Sequence, residues 1–437
     1  MRRMRGPRVG VRWAAPLTAL LTMALLLSPG RARDGAVDAP AAPPTLGACL
    51  LRIHHPCLAP AQERAAYGID TLLRRGVTGR GRAIAIVVSF GSPTIRADLR
   101  AFDRAFGLPD PRLDIVTPLG TRFPRGARNS GWEGETTLDV EWAHATAPGA
   151  RIVLLESPVD ETEGTQGLPE FLTLERYAVD HHLADVISQS WAATEDTLFD
   201  ARGRALVAAF HRFYAYAAGR GVTALGASGD DGAAGPTLAL QKLFPYRVAQ
   251  YPASDPLVLA VGGTRLDVSL DGRLQSETAW SGSGGGVSKL FPEPSYQRGL
   301  PPAARRLLHG RRGLPDVAYN AAGESPVLVY QAGHWTLAAG TSAATPQWAG
   351  IVALADEAAG RDLGALGDPL YRLAASPRYR ADLRDITSGG IVGPKSDGSG
   401  TGGIAYTAGP GWDAATGLGS PRAAALVFDL ARQARGR

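Results

Sequence analysis

Three side chains in this sequence have the types and spacing needed for acyl-transfer chemistry. Ser342 stands in AAGTSAATPQWAG (338–350), where glycine and threonine lead directly into an alanine-rich apolar run. A serine at that point falls in the first turn of a helix, where free N–H groups and the positive helix end stabilise a nearby oxyanion. Gly340 allows a substrate backbone to approach closely. A hydroxyl nucleophile also needs a base, and WEGETTLDVEWAHATAPGA (132–150) offers one. On a helix, Glu135 and Asp139 are i and i+4 and project from one face, roughly 5–6 Å apart at Cβ, while Glu141 points away. Two carboxylates held together in partly dry surroundings cannot both ionise easily, so the pair titrates as a unit with at least one raised pKa. Each feature alone is ordinary, because a serine at a helix start is most often a cap and two acids on a helix are most often a solvated face. The glycine-rich and apolar text around both sets them apart.

The elements that must position these groups follow a βα rhythm. Strand-like runs occur at AIAIVVS (83–89), ARIVLLE (150–156), DVISQS (185–190), GVTALGA (221–227) and PLVLAVG (256–262). They are continuously apolar or β-branched, as strands covered on both faces are. Helical patterns lie between them near 135–146, 171–183 and 199–219. The expected fold class is therefore α/β, with a mostly parallel central sheet flanked by helices. A glycine-laden stretch at 388–411 reads as a loop. No linker or repeat divides the chain, so residues 58–437 read as one large catalytic domain.

The 437 residues carry 46 Lys+Arg against 41 Asp+Glu. Six of those arginines lie in residues 1–32, which contain no acid; the remainder holds 40 bases and 41 acids and is nearly neutral. With three lysines in all, the chain lacks the basic stripe of a nucleic-acid binder. Residues 1–32 combine that basic opening, the apolar run Trp13–Leu27 and a small-residue SPGRA boundary, which reads as a signal peptide. The apolar run is shorter than the roughly 20 residues that cross a bilayer core. Export to the extracellular space, with no stable membrane span after cleavage, is expected. Residues 33–57 read as a flexible lead, in which Cys49 and Cys57 can close a short disulfide loop in an oxidising compartment. A lipid-modified Cys49 lies too far beyond the apolar run, and a metal cluster with His54 and His55 is the remaining alternative. The other histidines form no HExxH or similar pair, which leaves a zinc hydrolase without its ligands.

In order along the chain, LAPAQERAAYGID (58–70), IAIVVSFGSP (84–93), Glu135-x-x-x-Asp139, QSWAATE (189–195), SGDDG (228–232), VGGT (261–264), SGGGVSKLFPEPSYQ (283–297), GLPDVAYNA (313–321), GTSAATPQWAG and AGPGWDAATGLGSP (408–421) resemble the sedolisin family of serine-carboxyl peptidases. The resemblance covers nearly all of the chain beyond the lead. It implies a subtilisin-like fold and hydrolysis of peptide bonds at acid pH, with glutamate in place of histidine as base. Carried over by motif, Ser342 is the nucleophile, Glu135 the general base, Asp139 the group that orients it and shares its proton, and Asp230 the oxyanion aspartate, which must be protonated to donate. Ser190, Trp191, Ser283, Gly284, Gly285 and Gly286 are implied to bind substrate. The resemblance also implies one structural calcium ion in a C-terminal loop, held by Asp385 and Asp413 with the carbonyls of Ile386, Gly409 and Gly411, a hard-oxygen set that suits calcium.

The sequence departs from the family in two places. The segment after IAIVVSFG lacks the additional acidic residue of some members, and only about 25 residues separate the signal from the first family motif, so the long family prodomain is expected to be absent. The expected partner is a peptide or protein substrate and the expected state a monomer. The competing reading is a weakly active or inactive peptidase fold that serves as an extracellular peptide-binding module.

Overall fold

The computed structural model describes residues 42–121, 131–270 and 272–435. The signal peptide expected over 1–32 lies outside the described residues. Seven strands run in the order Val317–Asn320, Val258–Val268, Thr223–Ala227, Val186–Gln189, Ala83–Ser89, Arg151–Ser157 and Arg112–Val116. All six pairings between them are parallel, and Leu274–Ala279 adds an antiparallel strand against Val258–Val268. Ala83–Ser89 lies near the centre and is buried at every residue. That explains its unbroken apolar run: parallel strands covered by helices on both faces have no solvent side to mark with polar residues. The α/β class read from the sequence is the one observed.

The boundaries shift where packing extends an element. The helix expected at 135–146 begins at Trp132, the one at 171–183 spans Leu168–Asp180, and the one at 199–219 spans Ala201–Ala218. The strand at 256–262 begins later, after Pro256, and continues to Val268 because Leu274–Ala279 pairs with its second half. Helix Ile95–Phe106 and strands Arg112–Val116 and Val317–Asn320 had no assignment from sequence. The 388–411 stretch is an antiparallel hairpin, Gly390–Pro394 with Thr401–Thr407, rather than a loop.

The lead is also more ordered than its composition indicates. Leu46–Ile53 is a helix whose N-cap Thr45 accepts from the Ala48 N–H, and a disulfide joins Cys49 to Cys57 with Cα atoms 5.8 Å apart. Both cysteines are buried beside Leu328 and Leu337. From residue 46 onward a flexible lead is therefore the wrong description: the cross-link and its apolar contacts fix the segment to the body of the protein.

Two long helices carry the reactive groups. Trp132–Thr146 is buried along almost its whole length, and Thr341–Ala359 is buried through Asp356. At Gly350 they pack closely: a Cβ there would stand 2.6 Å from Thr146 Cβ, so only glycine permits this approach. The contact joins the last residue of the first helix to the middle of the second, and both N-terminal turns lie on the same side of it.

Candidate active site

The site assembles at the C-terminal ends of the parallel strands, where open α/β sheets place ligands. Ser190 follows strand Val186–Gln189, Asp230 follows Thr223–Ala227, and the segment Asp160–Glu163 follows Arg151–Ser157. Glu135 lies in the first turn of its helix and Ser342 is the second residue of its own. A cavity of about 400 Å³ is lined by Glu135, Ser190, Trp191, Asp230, Thr341 and Ser342, among others.

Glu135 and Asp139 face each other inside the protein. Burial raises the pKa of both, and each acts on the other. Glu135 Oε1 and Asp139 Oδ2 have no donor partner among the described residues, the pattern left when two carboxyl oxygens need one proton between them. The other Asp139 oxygen, Oδ1, accepts from Ser190 Oγ at 2.8 Å. On the cavity side Ser342 stands near enough to Glu135 to favour its ionised form. A chain of contacts therefore runs Ser342, Glu135, Asp139, Ser190. Glu141, whose Oε2 accepts from the Tyr330 N–H at 3.0 Å, belongs to the core instead.

Asp230 is held from one side. Its Oδ1 accepts from the Thr341 N–H at 2.7 Å and from Thr341 Oγ1 at 2.8 Å. Burial nonetheless pushes its carboxyl up to about 6, partly offset by those two bonds. Gly340 has φ +109°, and a Cβ there would stand 2.5 Å from Asp230 Oδ2. Its glycine identity thus serves the carboxyl as well as the turn. The Ser342 N–H makes no backbone hydrogen bond among the described residues and stays free to donate.

The substrate-binding expectation divides. Ser190 and Trp191 line the cavity, although the Ser190 hydroxyl is committed to Asp139. Ser283, Gly284, Gly285 and Gly286 do not: all four are buried away from it. A Cβ on Gly284 would stand 1.8 Å from the Ser228 carbonyl oxygen and one on Gly285 2.1 Å from that of Ala414. Gly284 donates to the Gly229 carbonyl at 2.6 Å and accepts from Ser228 Oγ at 2.7 Å. The glycines allow this segment to pack beneath the turn that carries Asp230.

Sequence reasoning missed Asp160, Glu161 and Glu163, which line the same cavity, together with Trp132. The available signal was an acidic run, DETE, directly after a strand of a parallel sheet, where a ligand-facing loop is expected.

Around the expected metal loop, Asp385 accepts from the Gly411 N–H at 3.0 and 3.1 Å, and Asp413 accepts from the N–H groups of Gly409, Ala415 and Thr416 at 2.9 Å each. The two carboxylates thus meet on one turn. Among the described residues, the carbonyls of Ile386, Gly409 and Gly411 accept no backbone hydrogen bond, and no three His, Cys, Asp or Glu side chains cluster on one point. Two carboxylates with unengaged carbonyls fit a calcium ion and would not fit zinc.

No family model matches the chain. It is similar to kumamolisin of Bacillus sp. (strain MN-32), 37% identical over 357 residues, which is 79% of this chain and 59% of that protein. Sedolisin of Pseudomonas sp. (strain 101) is 30% identical over 362 residues, 78% of this chain and 57% of the relative. Tripeptidyl-peptidase 1 of Homo sapiens is 31% identical over 352 residues, 76% and 57%. The chain therefore spans less than two thirds of the length of the curated relatives it matches. A solved structure of Pseudomonas sedolisin, a serine-carboxyl proteinase complexed with two molecules of pseudo-iodotyrostatin, matches with a TM-score of 0.70 and 28% identity, covering 85% of this chain and 97% of that one. A lanthipeptide protease matches in fold alone, with a TM-score of 0.50 and 16% identity. On these relationships, the chain belongs to the sedolisin family of serine-carboxyl peptidases.

Proposed function

We propose that the chain is an exported serine-carboxyl peptidase that hydrolyses peptide bonds at acid pH, acting as a monomer on peptide or protein substrates. The observation that carries this reading is the convergence of Ser342, Glu135 and Asp230 on one cavity from three separate segments, with Asp139 buried against Glu135. Ser342 Oγ attacks the scissile carbonyl while Glu135, ionised and bonded to a protonated Asp139, takes the hydroxyl proton. Asp230, protonated below about pH 6 and tied at Oδ1, donates from Oδ2 to the developing oxyanion, with the Ser342 N–H as second donor. Glu135 returns its proton to the leaving amine. A water activated at the same carboxylate then hydrolyses the acyl-enzyme.

Asp385 and Asp413, with the carbonyls of Ile386, Gly409 and Gly411, would hold one calcium ion, whose contribution is structural. The ion would fix the turn that packs against the Gly285 segment beneath Asp230. The buried Cys49–Cys57 bridge supports an oxidising compartment, in keeping with the signal read over 1–32.

The test is hydrolysis of an unbiased peptide mixture across pH 3–8 by the secreted protein and by Ser342→Ala, with products read by mass. Acid-limited cleavage that disappears in the variant is the expected result. Folded, calcium-replete protein without serine-dependent cleavage at any pH would overturn the reading in favour of a peptide-binding module.

A further inference from the structure

A second cavity, of about 380 Å³, is lined by Arg247, Lys289 and Arg311 together with Val287, Ser288 and Tyr406, among others. It shares no lining residue with the cavity at Ser342. Three cations line it and no carboxylate does. Composition does not account for this, because residues 33–437 carry 40 bases and 41 acids.

The three cations come from separate segments, and each is held. Strand Arg311–Leu314 turns successive side chains to opposite sides. Arg312 points inward and pairs with the Asp316 carboxylate at 2.8 and 2.6 Å, whereas Arg311 lines the cavity. The Arg311 Nε donates to the Ser288 carbonyl at 3.1 Å and a terminal nitrogen to the Lys289 carbonyl, which leaves other N–H donors of the guanidinium unspent. Lys289 Nζ is steadied by Asp196 at 2.8 and 2.9 Å and stands 4.3 Å from the centre of the Tyr246 ring. The Arg247 guanidinium lies 4.7 Å from the centre of the Tyr406 ring. Among the described residues, neither Arg247 nor Arg311 forms an ion pair with a carboxylate. Glu195, buried beside Ser288, is engaged by the Ser288 hydroxyl at 2.5 Å and by the Lys289 and Leu290 N–H groups at 2.6 and 3.3 Å.

Cations gathered around one concave surface without matching acids repel one another and raise the local concentration of anions. The planar fork of a guanidinium matches the oxygens of phosphate and sulfate, and a lysine adds a point charge. Small-ligand pockets run from roughly 300 to 1,000 Å³, a range that takes in this cavity and exceeds what a lone phosphate fills. Val287 and the Tyr406 ring offer the remaining surface to whatever carries the anion. We infer that this cavity binds a tetrahedral oxyanion, a phosphate or sulfate group, carried on a larger molecule. The free inorganic ion shares that chemistry and is the second source. Since the two cavities have no lining residue in common, the anion would hold the protein to its carrier while the cavity at Ser342 stays open. The inference does not depend on the peptidase reading.

The test is calorimetric titration of the full-length protein with phenyl phosphate and with inorganic phosphate at about pH 5, where lysine and arginine are fully charged. Chloride keeps the ionic strength constant, so that general screening is the same throughout. Expected is one saturable site per chain for phenyl phosphate with a Kd below about 1 mM, several-fold tighter than for inorganic phosphate. Arg247→Gln or Lys289→Gln should weaken it at least about tenfold, the size of one charge-assisted contact. Both side chains are exposed, and an unchanged melting temperature confirms that the variants fold. Arg202→Gln, at an exposed arginine outside the cavity, should leave binding unchanged. Equal affinities for the two probes, with the same dependence on Arg247 or Lys289, would retain the site and assign it to the free ion. No saturable binding at millimolar concentrations, binding that survives both cavity substitutions, or equal weakening by Arg202→Gln would overturn the site.

Discussion

Asp230 Oδ1 accepts both hydrogen bonds that Thr341 can direct at it, 2.7 Å from the N–H and 2.8 Å from Oγ1, and Thr341 immediately precedes Ser342. The proposed oxyanion carboxyl and the proposed nucleophile are therefore positioned by adjacent residues of one helix start. With Oδ1 saturated as an acceptor, the proton resides on Oδ2, the oxygen left to donate.

Thr341→Val tests that geometry. The two Thr341 bonds favour the ionised carboxylate, so removing the hydroxyl raises the Asp230 pKa above about 6. Catalysis needs the protonated form, so the high-pH limb of kcat/KM should move up by roughly 0.5–1 pH unit, the size of one lost charge-assisted bond. The pH–rate profile checks it. An unmoved limb would mean that Asp230 does not set it. Asp230→Asn, an amide that still donates and cannot titrate, should retain a small activity with that limb absent.

Ser190 and Asp139 should behave as one unit with Glu135. Asp139→Asn is expected to lower kcat about 10²-fold and Ser190→Ala about tenfold, because the first removes the shared proton and the second only steadies it. The double variant should be scarcely worse than Asp139→Asn alone. Strictly additive losses in a kinetic double-mutant cycle would separate Ser190 from the carboxylate pair.

Stability should favour acid. Burial pushes Glu63 and Asp103 up to about 8 and Glu163 to about 7, well above unfolded carboxyl values. Such groups bind protons more tightly in the folded state, so their contribution is full below about pH 4 and is lost as pH rises through 7–8. His144, buried and lowered to about 4, acts in the opposite sense between pH 6.5 and 4, but it is one group against several. The melting temperature should be higher at pH 4.5 than at pH 8 by at least about 5 °C. A calorimetric scan showing the reverse would refute this balance.

Calcium removal should lower the melting temperature by several degrees, as loss of any ligand specific to the folded state does. Asp385→Ala should melt at the same temperature with and without chelator, since the remaining carboxylate and carbonyls cannot hold the ion alone. A chelator effect that persists in Asp385→Ala would place calcium elsewhere.

Periodicity alone determined that Glu135 and Asp139 share a face, because a helix repeats every 3.6 residues whatever surrounds it. Likewise, continuous apolar runs sufficed for a parallel sheet, and the glycine and threonine before Ser342 for a helix start. These are local properties, set within a few residues of chain. Tertiary structure decided everything that joins distant segments. Ser342 meets Glu135 because Gly350 permits two helices to close on Thr146, a contact that no short window of sequence contains. Glycine was ambiguous for the same reason: at Gly284 and Gly285 the missing side chain makes room for the protein's own carbonyls, not for a substrate. The acids of residues 160–163 had no assignment from sequence until the sheet order placed them at the cavity, and the lead read as flexible became packed structure at Cys49–Cys57 once its apolar partners came from residues 328 and 337. Local sequence fixes which groups can react and which way they point; only the closing of the chain on itself excludes water around them, and that exclusion is what raises their pKa values and gives them chemistry.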